Sequence, residues 1–217
     1  MKKESQVIFD KNVIEFVTVA AEFCAFLERA ESMKRSTFVD TTLKILPLLY
    51  LKASMLPKCE MIGDESPETY VTEEIYEVLR INLASILAEK DDYLEVFLPD
   101  MAYSDEPIKK NISEDLADIY QDIKDFIFVF QLGLNETMND SLAICQENFG
   151  LLWGQKLVNT MRALHDVKYS PKARGEDEEE EDANLPTYIA LRRIRTLCLR
   201  RLMESVGYFP SVNYALY

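Results

Sequence analysis

The stretch from Ile112 to Gly133, ISEDLADIYQDIKDFIFVFQLG, decides the fold of this chain. Its apolar residues recur every three or four positions over about five turns, which is the period of an α-helix with one buried face. Asn111, with Glu114 three positions later, is typical of a capped helix start, and Gly133 is typical of a helix end. We therefore predict a long amphipathic helix here. Its stripe consists of Ile112, Leu116, Ile119, Tyr120, Ile123, Ile127 and Phe130.

Five further segments carry the same helical period. They run from about Asp10 to Glu31, from Ser36 through Pro47, from Thr72 to about Asp91, from Asn135 to about Lys168 and from Pro186 to Gly207. Ser36 is the expected N-cap of its helix, and Pro47 is expected to kink or divide that helix. A short helical turn is expected around 93–98. These patterns predict an all-α, single-domain bundle of about six helices over residues 1–217, with the second and fifth helices most central.

Composition restricts the class of protein. The chain has 217 residues, of which 48% are hydrophobic and 29% charged, so it can bury one substantial core. Its formal net charge is −14, and half of that comes from the run Glu176 to Asp182. We expect residues 170–184 to form an acidic flexible linker within the domain. An acidic surface repels phosphate backbones, so a nucleic-acid partner is not expected.

Cysteine usage and hydropathy indicate a compartment. Cys24, Cys59, Cys145 and Cys198 lie far apart without a Cys-x-x-Cys pair, so we expect free thiols in a reducing environment. The first residues lack the apolar run of a signal peptide, and the apolar run Phe126–Phe130 is far too short to cross a bilayer. The sequence therefore predicts a cytoplasmic protein without a membrane partner.

Signals for catalysis are weak. The chain has no glycine-rich phosphate loop, no nucleophile elbow, no metal-binding spacing and only one histidine, His165, which lies away from the core stripe of its helix. Four aspartates recur at helical spacing: Asp115, Asp118, Asp122 and Asp125. Since Asp118 and Asp125 lie nearly opposite the apolar stripe, we expect this row to face water rather than to bind a metal. We predict no catalytic residue, no cofactor and no metal site.

Lys156 breaks the pattern of the fifth helix, because it places a cation in an otherwise apolar stripe beside Trp153 and Thr160. A charge in such a stripe needs a hidden partner or faces a cavity. In one interpretation its stem packs in the core and its ammonium reaches water or a carboxylate on another helix. In the other, Trp153, Lys156 and Thr160 form a pocket for an anionic or carbonyl-bearing ligand.

A second candidate surface lies on the predicted last helix, where five arginines cluster shortly after the acidic run 176–182. They are Arg192, Arg193, Arg195, Arg200 and Arg201. They could form an ordinary solvated face. In the alternative, the acidic run folds back over them, and they are unmasked for an acidic or phosphate-rich partner.

Two segments resemble a known family. Leu116 to Lys124, LADIYQDIK, and Trp153 to His165, WGQKLVNTMRALH, are similar to a bacterial family of helical proteins of roughly 200 residues, described only as a domain of unknown function. In that family a histidine is common where this chain has Lys156, so a polar group is kept at this position. The resemblance implies an all-helical fold and no assigned activity.

The leading functional hypothesis is a non-enzymatic, cytoplasmic protein-interaction or regulatory protein that binds another protein. The alternative is a small-ligand binder or enzyme that uses the pocket around Trp153, Lys156 and Thr160. A homo-oligomer is a third possibility, in which two copies meet through the uncharged aromatic tail 208–217.

Overall fold

The structure, a computed structural model, describes residues 7–95 and 108–170. It is mostly helical and confirms the predicted all-α class. The elements are α1 (Lys11–Glu28), α2 (Arg35–Ser54), α3 (Glu73–Leu87), β1 (Asp92–Glu95), β2 (Ile108–Asn111), α4 (Ile112–Gln131), α5 (Asn135–Asn148) and α6 (Gly154–Tyr169). The predicted last helix, its five arginines, the tail 208–217 and the linker beyond Ser170 lie outside the described residues. No helix in the two described ranges is both long and apolar enough to cross a membrane.

The central helix is α4, which packs against α1, α3, α5 and α6. The expectation that the second helix would be among the most central is wrong, because α2 packs mainly against α1 and α6 and leaves Leu48, Leu51 and Met55 exposed. α2 therefore has apolar residues on all its sides but is not buried on all of them. α2 continues through Pro47, so the proline does not divide it.

Helix starts follow the capping rules only in part. Asp10 caps α1 by accepting the Asn12 amide at 2.8 Å, and the Thr72 hydroxyl accepts the Ile75 amide at 3.3 Å at the start of α3. The expected Ser36 cap is wrong: the Lys34 carbonyl already accepts the Phe38 amide at 3.0 Å, so Ser36 lies inside the first turn of α2.

The start of α4 is capped from a distance. Asn111 is in the N-cap position, but its side chain makes no capping bond and instead donates to Asp92 Oδ1 at 2.8 Å. Asp91 takes over this role, since its carboxylate accepts the Ser113 amide at 2.7 Å and the Ser113 hydroxyl at 2.6 Å. Asp91 and Ser113 are 22 positions apart, so local sequence could not identify this cap.

The short sheet also differs from expectation. β1 and β2 pair antiparallel with Asp92 opposite Asn111 and Glu95 opposite Ile108, where we expected a helical turn around 93–98. A strand places alternate side chains on the same face. Tyr93 and Glu95 therefore point the same way, towards α4 and α6, where both make side-chain hydrogen bonds.

α5 and α6 form one helical rod that is interrupted by a single π-helical turn, Phe149–Trp153. Gly154 permits this turn, because a Cβ at that position would lie 2.2 Å from the Phe149 carbonyl oxygen. At Gly133, after α4, the backbone has φ 75°, the left-handed conformation that favours glycine at a helix end.

The loop between α2 and α3 is fastened to α5 by buried polar side chains. Asp140 accepts the amides of Ile62 and Gly63 at 2.7 and 2.9 Å, and Asn139 donates to the Glu60 carbonyl at 2.8 Å. These bonds satisfy loop backbone groups that would otherwise lose their hydration. They hold the loop against α5, next to the cleft described below.

Candidate functional site

The aspartate row of α4 lies on a flank of the apolar stripe. Each of its four carboxylates is bonded to a different part of the fold: Asp115 to β1, Asp118 to α3 and α6, Asp122 to α5 and Asp125 to the backbone before α3. All four are at least partly buried. The expected water-facing row is therefore wrong, because α3, α5, α6 and β1 pack around α4 closely enough to cover the flank as well as the stripe.

Lys156 forms an ion pair with Asp118, the second aspartate of this row. Its ammonium donates to Asp118 Oδ2, and the Tyr76 hydroxyl donates to Asp118 Oδ1 at 2.8 Å. The structure therefore contains the ion pair with a carboxylate of another helix, one of the two arrangements that the sequence left open. Burial raises the pKa of Tyr76 well above its ordinary value, and the hydrogen bond to Asp118 raises it further. Tyr76 is thus a hydrogen-bond donor, not a proton source at neutral pH.

Asp115 is the most buried member of the row and receives a hydrogen bond from the Tyr93 hydroxyl. Burial raises the pKa of Asp115, while the Tyr93 hydrogen bond and the charge of Lys156 act in the opposite direction. On the same side of β1, the buried Glu95 accepts the Asn159 side-chain amide at 2.8 Å. Asp115, Asp118, Lys156, Glu95 and Asn159 thus form one polar cluster between α3, α4, α6 and β1. Although Lys156 is partly exposed, we call this group the interior polar cluster.

A cleft opens at the other end of the row, between α4, α5 and residues 67–69. Its volume is about 260 Å³, and Asp122 and Asp125 both line it. Asp122 accepts the Asn148 side-chain amide at 2.6 Å, and Asp125 accepts the backbone amides of Tyr70 and Val71 at 2.7 and 2.8 Å. Burial raises the pKa of both carboxyl groups.

The chemistry available in the cleft is limited. Carboxylates are hydrogen-bond acceptors when ionised and can also donate when protonated. Cys145 lines the same cleft, but burial raises the pKa of its thiol, so it is not a thiolate at neutral pH. Within residues 7–95 and 108–170, no group of three or more His, Cys, Asp or Glu side chains could hold a metal ion.

Trp153, Lys156 and Thr160 are not among the described residues that line this cleft. Trp153 is fully buried, and its indole nitrogen donates to the Cys145 carbonyl at 3.1 Å. Thr160 is also fully buried, and its hydroxyl has no hydrogen-bond partner in the part of the chain that the structure describes. A ligand-binding role for the three residues stays a prediction.

His165 and Arg162 of α6 lie towards the surface. His165 is exposed, as expected, and its ring lies 4.6 Å from that of Tyr169. Arg162 donates to the Leu94 carbonyl at 2.9 Å and so ties α6 to β1. Sequence reasoning did not identify Tyr76, Tyr93 or Glu95 as partners of the polar cluster, because each meets its partner from a distant part of the chain.

The described part of the chain is thus a helical-bundle domain with an interior polar cluster and a small acidic cleft. It belongs to the family described as Domain of unknown function (DUF5063), whose model matches residues 7–170. The chain is also similar to the crystal structure of protein BF1032 from Bacteroides fragilis, a target of the Northeast Structural Genomics Consortium. The two are 93% identical, with a TM-score of 0.71, over 78% of this chain and 99% of that one. No curated protein matches the chain.

Proposed function

We propose that this chain is a non-enzymatic protein-interaction module that binds an apolar helix of a partner protein. The observation that carries this proposal is a set of exposed apolar side chains on α2 and in the π-helical turn, two elements that meet at the Tyr50–Phe149 contact. We call this set the α2–π face: Leu48, Leu51, Met55, Leu151 and Leu152. Single exposed leucines are normal on a protein surface, but a group of large apolar side chains marks an interaction site.

The two parts of the α2–π face lie at the same end of the molecule because α2 and α6 pack antiparallel. At one end of the pair, Lys168 of α6 donates to Asp40 of α2. At the other end, the rings of Tyr50 and Phe149 are in edge contact, with centroids 5.2 Å apart. Leu48 and Leu51 are within one turn of Tyr50, and Leu151 and Leu152 are within one turn of Phe149.

The five side chains that define the α2–π face are uncharged. Residues 45–51, ILPLLYL, and 149–155, FGLLWGQ, contain no Asp, Glu, Lys or Arg. The exposed Lys44 lies one turn before Leu48, so the face is apolar with a basic residue at its edge. The exposed apolar side chains of α2 and of the π-helical turn suit the apolar face of an amphipathic partner helix.

The interior polar cluster supports the non-enzymatic part of this proposal. Asp115, Asp118 and Lys156 hydrogen-bond to other side chains of the fold. Each of these groups thus has a partner within the fold, which accounts for its position without a substrate. We place the protein in the cytoplasm, since Cys24, Cys59 and Cys145 are free thiols. The five arginines of 192–201 stay a second predicted interaction surface.

The test uses a photo-crosslinking amino acid at Leu51 or Leu151 of the full chain in cells, with Leu134 as the control position. Leu151 and Leu134 are similarly exposed, at 70% and 61%. A protein cross-linked only from the α2–π face is then purified and titrated with the chain. The double variant Leu51→Lys/Leu151→Lys should weaken its binding by roughly 100-fold, since two buried apolar anchors are lost. Leu134→Lys should leave the affinity unchanged.

Three results would overturn the proposal. One is equal cross-linking from Leu134 and from the α2–π face. Another is cross-linking from that face only to a second copy of the chain, which would make it a dimer interface. The third is a purified candidate whose affinity is the same for the wild type and for Leu51→Lys/Leu151→Lys.

Small-ligand binding at Trp153, Lys156 and Thr160 is the alternative function. It receives less support, because two of these residues are fully buried and the third is paired with Asp118. A panel of metabolites separates the two functions. A compound that raises the melting temperature of the wild type but not of Lys156→Met would favour the ligand-binding function.

A further inference from the structure

The outer face of α3 is a second surface with exposed apolar side chains, and it is separate from the α2–π face. Glu74, Val78, Ile81 and Ser85 follow one another at intervals of three or four residues, so they lie on one side of the helix. All four are exposed, and the exposed fractions of Val78 and Ile81 are 56% and 55%. Two large aliphatic side chains thus stand side by side on this face.

The beginning of α3, beside these two side chains, is acidic. α3 carries Glu73, Glu74 and Glu77 and a single basic residue, Arg80. Arg80 is already bonded to Glu77, at 2.7 Å. Glu73 and Glu74 are exposed and form no ion pair with any of the described residues. An occupant of this face therefore needs apolar side chains flanked by cations.

The sequence of residues 187–206 has the complementary pattern. Leu191, Ile194, Cys198 and Leu202 recur at helical spacing, and the segment carries five arginines against one acidic residue, Glu204. The acidic run 176–182 cannot occupy the same face, because it has the same sign of charge as α3.

The described chain ends close enough for this segment to reach α3. Lys168, near the end of α6, donates to Asp40 in the second turn of α2. Arg35, at the start of α2, donates to Glu89 just beyond the end of α3, at 2.6 Å. The ends of α6 and α3 therefore both lie against the beginning of α2. The fifteen residues 171–185 can span up to about 50 Å, and α3 is only about 22 Å long.

We propose that segment 187–206 docks in cis, as an amphipathic helix, on the outer face of α3. Its apolar stripe covers Val78 and Ile81, and its arginines pair with Glu73, Glu74 and their acidic neighbours. Docking occupies the five arginines within the chain. They become available to an acidic partner only when the segment leaves α3.

Disulfide trapping in the full chain tests this docking, because Cys198 lies on the apolar stripe of the segment. Val78→Cys, Ile81→Cys and Ser85→Cys are made one at a time, and dilute protein is treated with a mild oxidant. The matched control is Leu51→Cys on α2, since Leu51 is 51% exposed. Every variant also carries Cys59→Ser, because Cys59 is a partly buried free thiol. Cys24 and Cys145 are buried with raised thiol pKa values, so they contribute little background.

We expect an intramolecular disulfide to Cys198 from at least one α3 position, formed roughly tenfold faster than from Leu51→Cys, because docking raises the local thiol concentration. Glu73→Lys/Glu74→Lys should slow its formation several-fold, as should added salt at about 1 M. Equal rates from α3 and from Leu51→Cys would overturn the proposal, as would disulfides that form only between two molecules. The absence of a Cys198 disulfide from all three α3 positions would also overturn it.

Discussion

Lys156 of α6 and Tyr76 of α3 bond to the two oxygens of one carboxylate, that of Asp118 on α4. A single aspartate therefore links three helices. It also explains the cation in the apolar stripe of α6: the stem of Lys156 crosses the stripe, and its ammonium ends at an acid that α4 supplies. This link is one of four that the aspartate row makes between α4 and its neighbours.

Replacing Lys156 with Met should destabilise the fold by roughly 1 kcal/mol, because Asp118 then loses its counter-ion. The effect is modest, since about a third of the lysine side chain is exposed and water screens the pair. Urea denaturation measures it, with Lys44→Met as the control, because the more exposed Lys44–Asp40 pair should contribute less. A variant more stable than the wild type would contradict this role for Lys156.

Tyr93→Phe should cost about 1–3 kcal/mol, because it leaves the buried Asp115 carboxylate without its hydroxyl donor. Tyr50→Phe is the control, since Tyr50 lies at the surface and its ring contact with Phe149 does not need the hydroxyl. Equal free energies of unfolding for the two variants would show that the Tyr93–Asp115 hydrogen bond has no net effect on stability.

Asp122→Asn should stabilise the protein at pH 7.5 and should do so less at pH 5. Burial raises the pKa of Asp122 in the folded state, so the folded chain holds this proton more tightly than the unfolded chain. The contribution of Asp122 to the free energy of unfolding therefore falls as pH rises from the ordinary aspartate pKa to the raised one. The amide removes the buried charge and can still accept from Asn148.

The measurement for Asp122→Asn is the free energy of unfolding in urea at both pH values. Asp64→Asn, at an exposed loop position, is the control and should change little at either pH. If Asp122→Asn increased the free energy of unfolding more at pH 5 than at pH 7.5, the prediction would be contradicted, because burial of the charge requires the opposite order.

The two glycines of the π-helical region should respond oppositely to alanine. Gly154→Ala should destabilise by about 1–3 kcal/mol, because its Cβ would collide with the Phe149 carbonyl, a backbone atom that cannot move alone. Gly150→Ala meets nothing within 4 Å and should stabilise by about 0.5–1 kcal/mol, since alanine loses less entropy in a helix. Thermal unfolding of the two variants tests this contrast, and shifts of the same sign would contradict it.

The cleft and the polar cluster could not be predicted as sites from the sequence. Helical spacing identified the aspartate row, but it assigned Asp118 and Asp125 to water because it describes one helix at a time. Whether a flank of a helix is wet depends on which neighbours cover it. In the same way, Asp91 rather than Asn111 caps α4 through a bond to Ser113, which is 22 positions away along the chain.

The sequence by itself determined the five long helical segments between residues 10 and 169, because the period of apolar residues is a local property. It also singled out Lys156 as a residue that needs an explanation. Only the tertiary structure decided that this residue pairs with Asp118, that α4 rather than α2 is central, and that Leu51 and Leu151 remain exposed. Each of these depends on how helices pack, and packing is set by the shapes of distant surfaces rather than by any one segment.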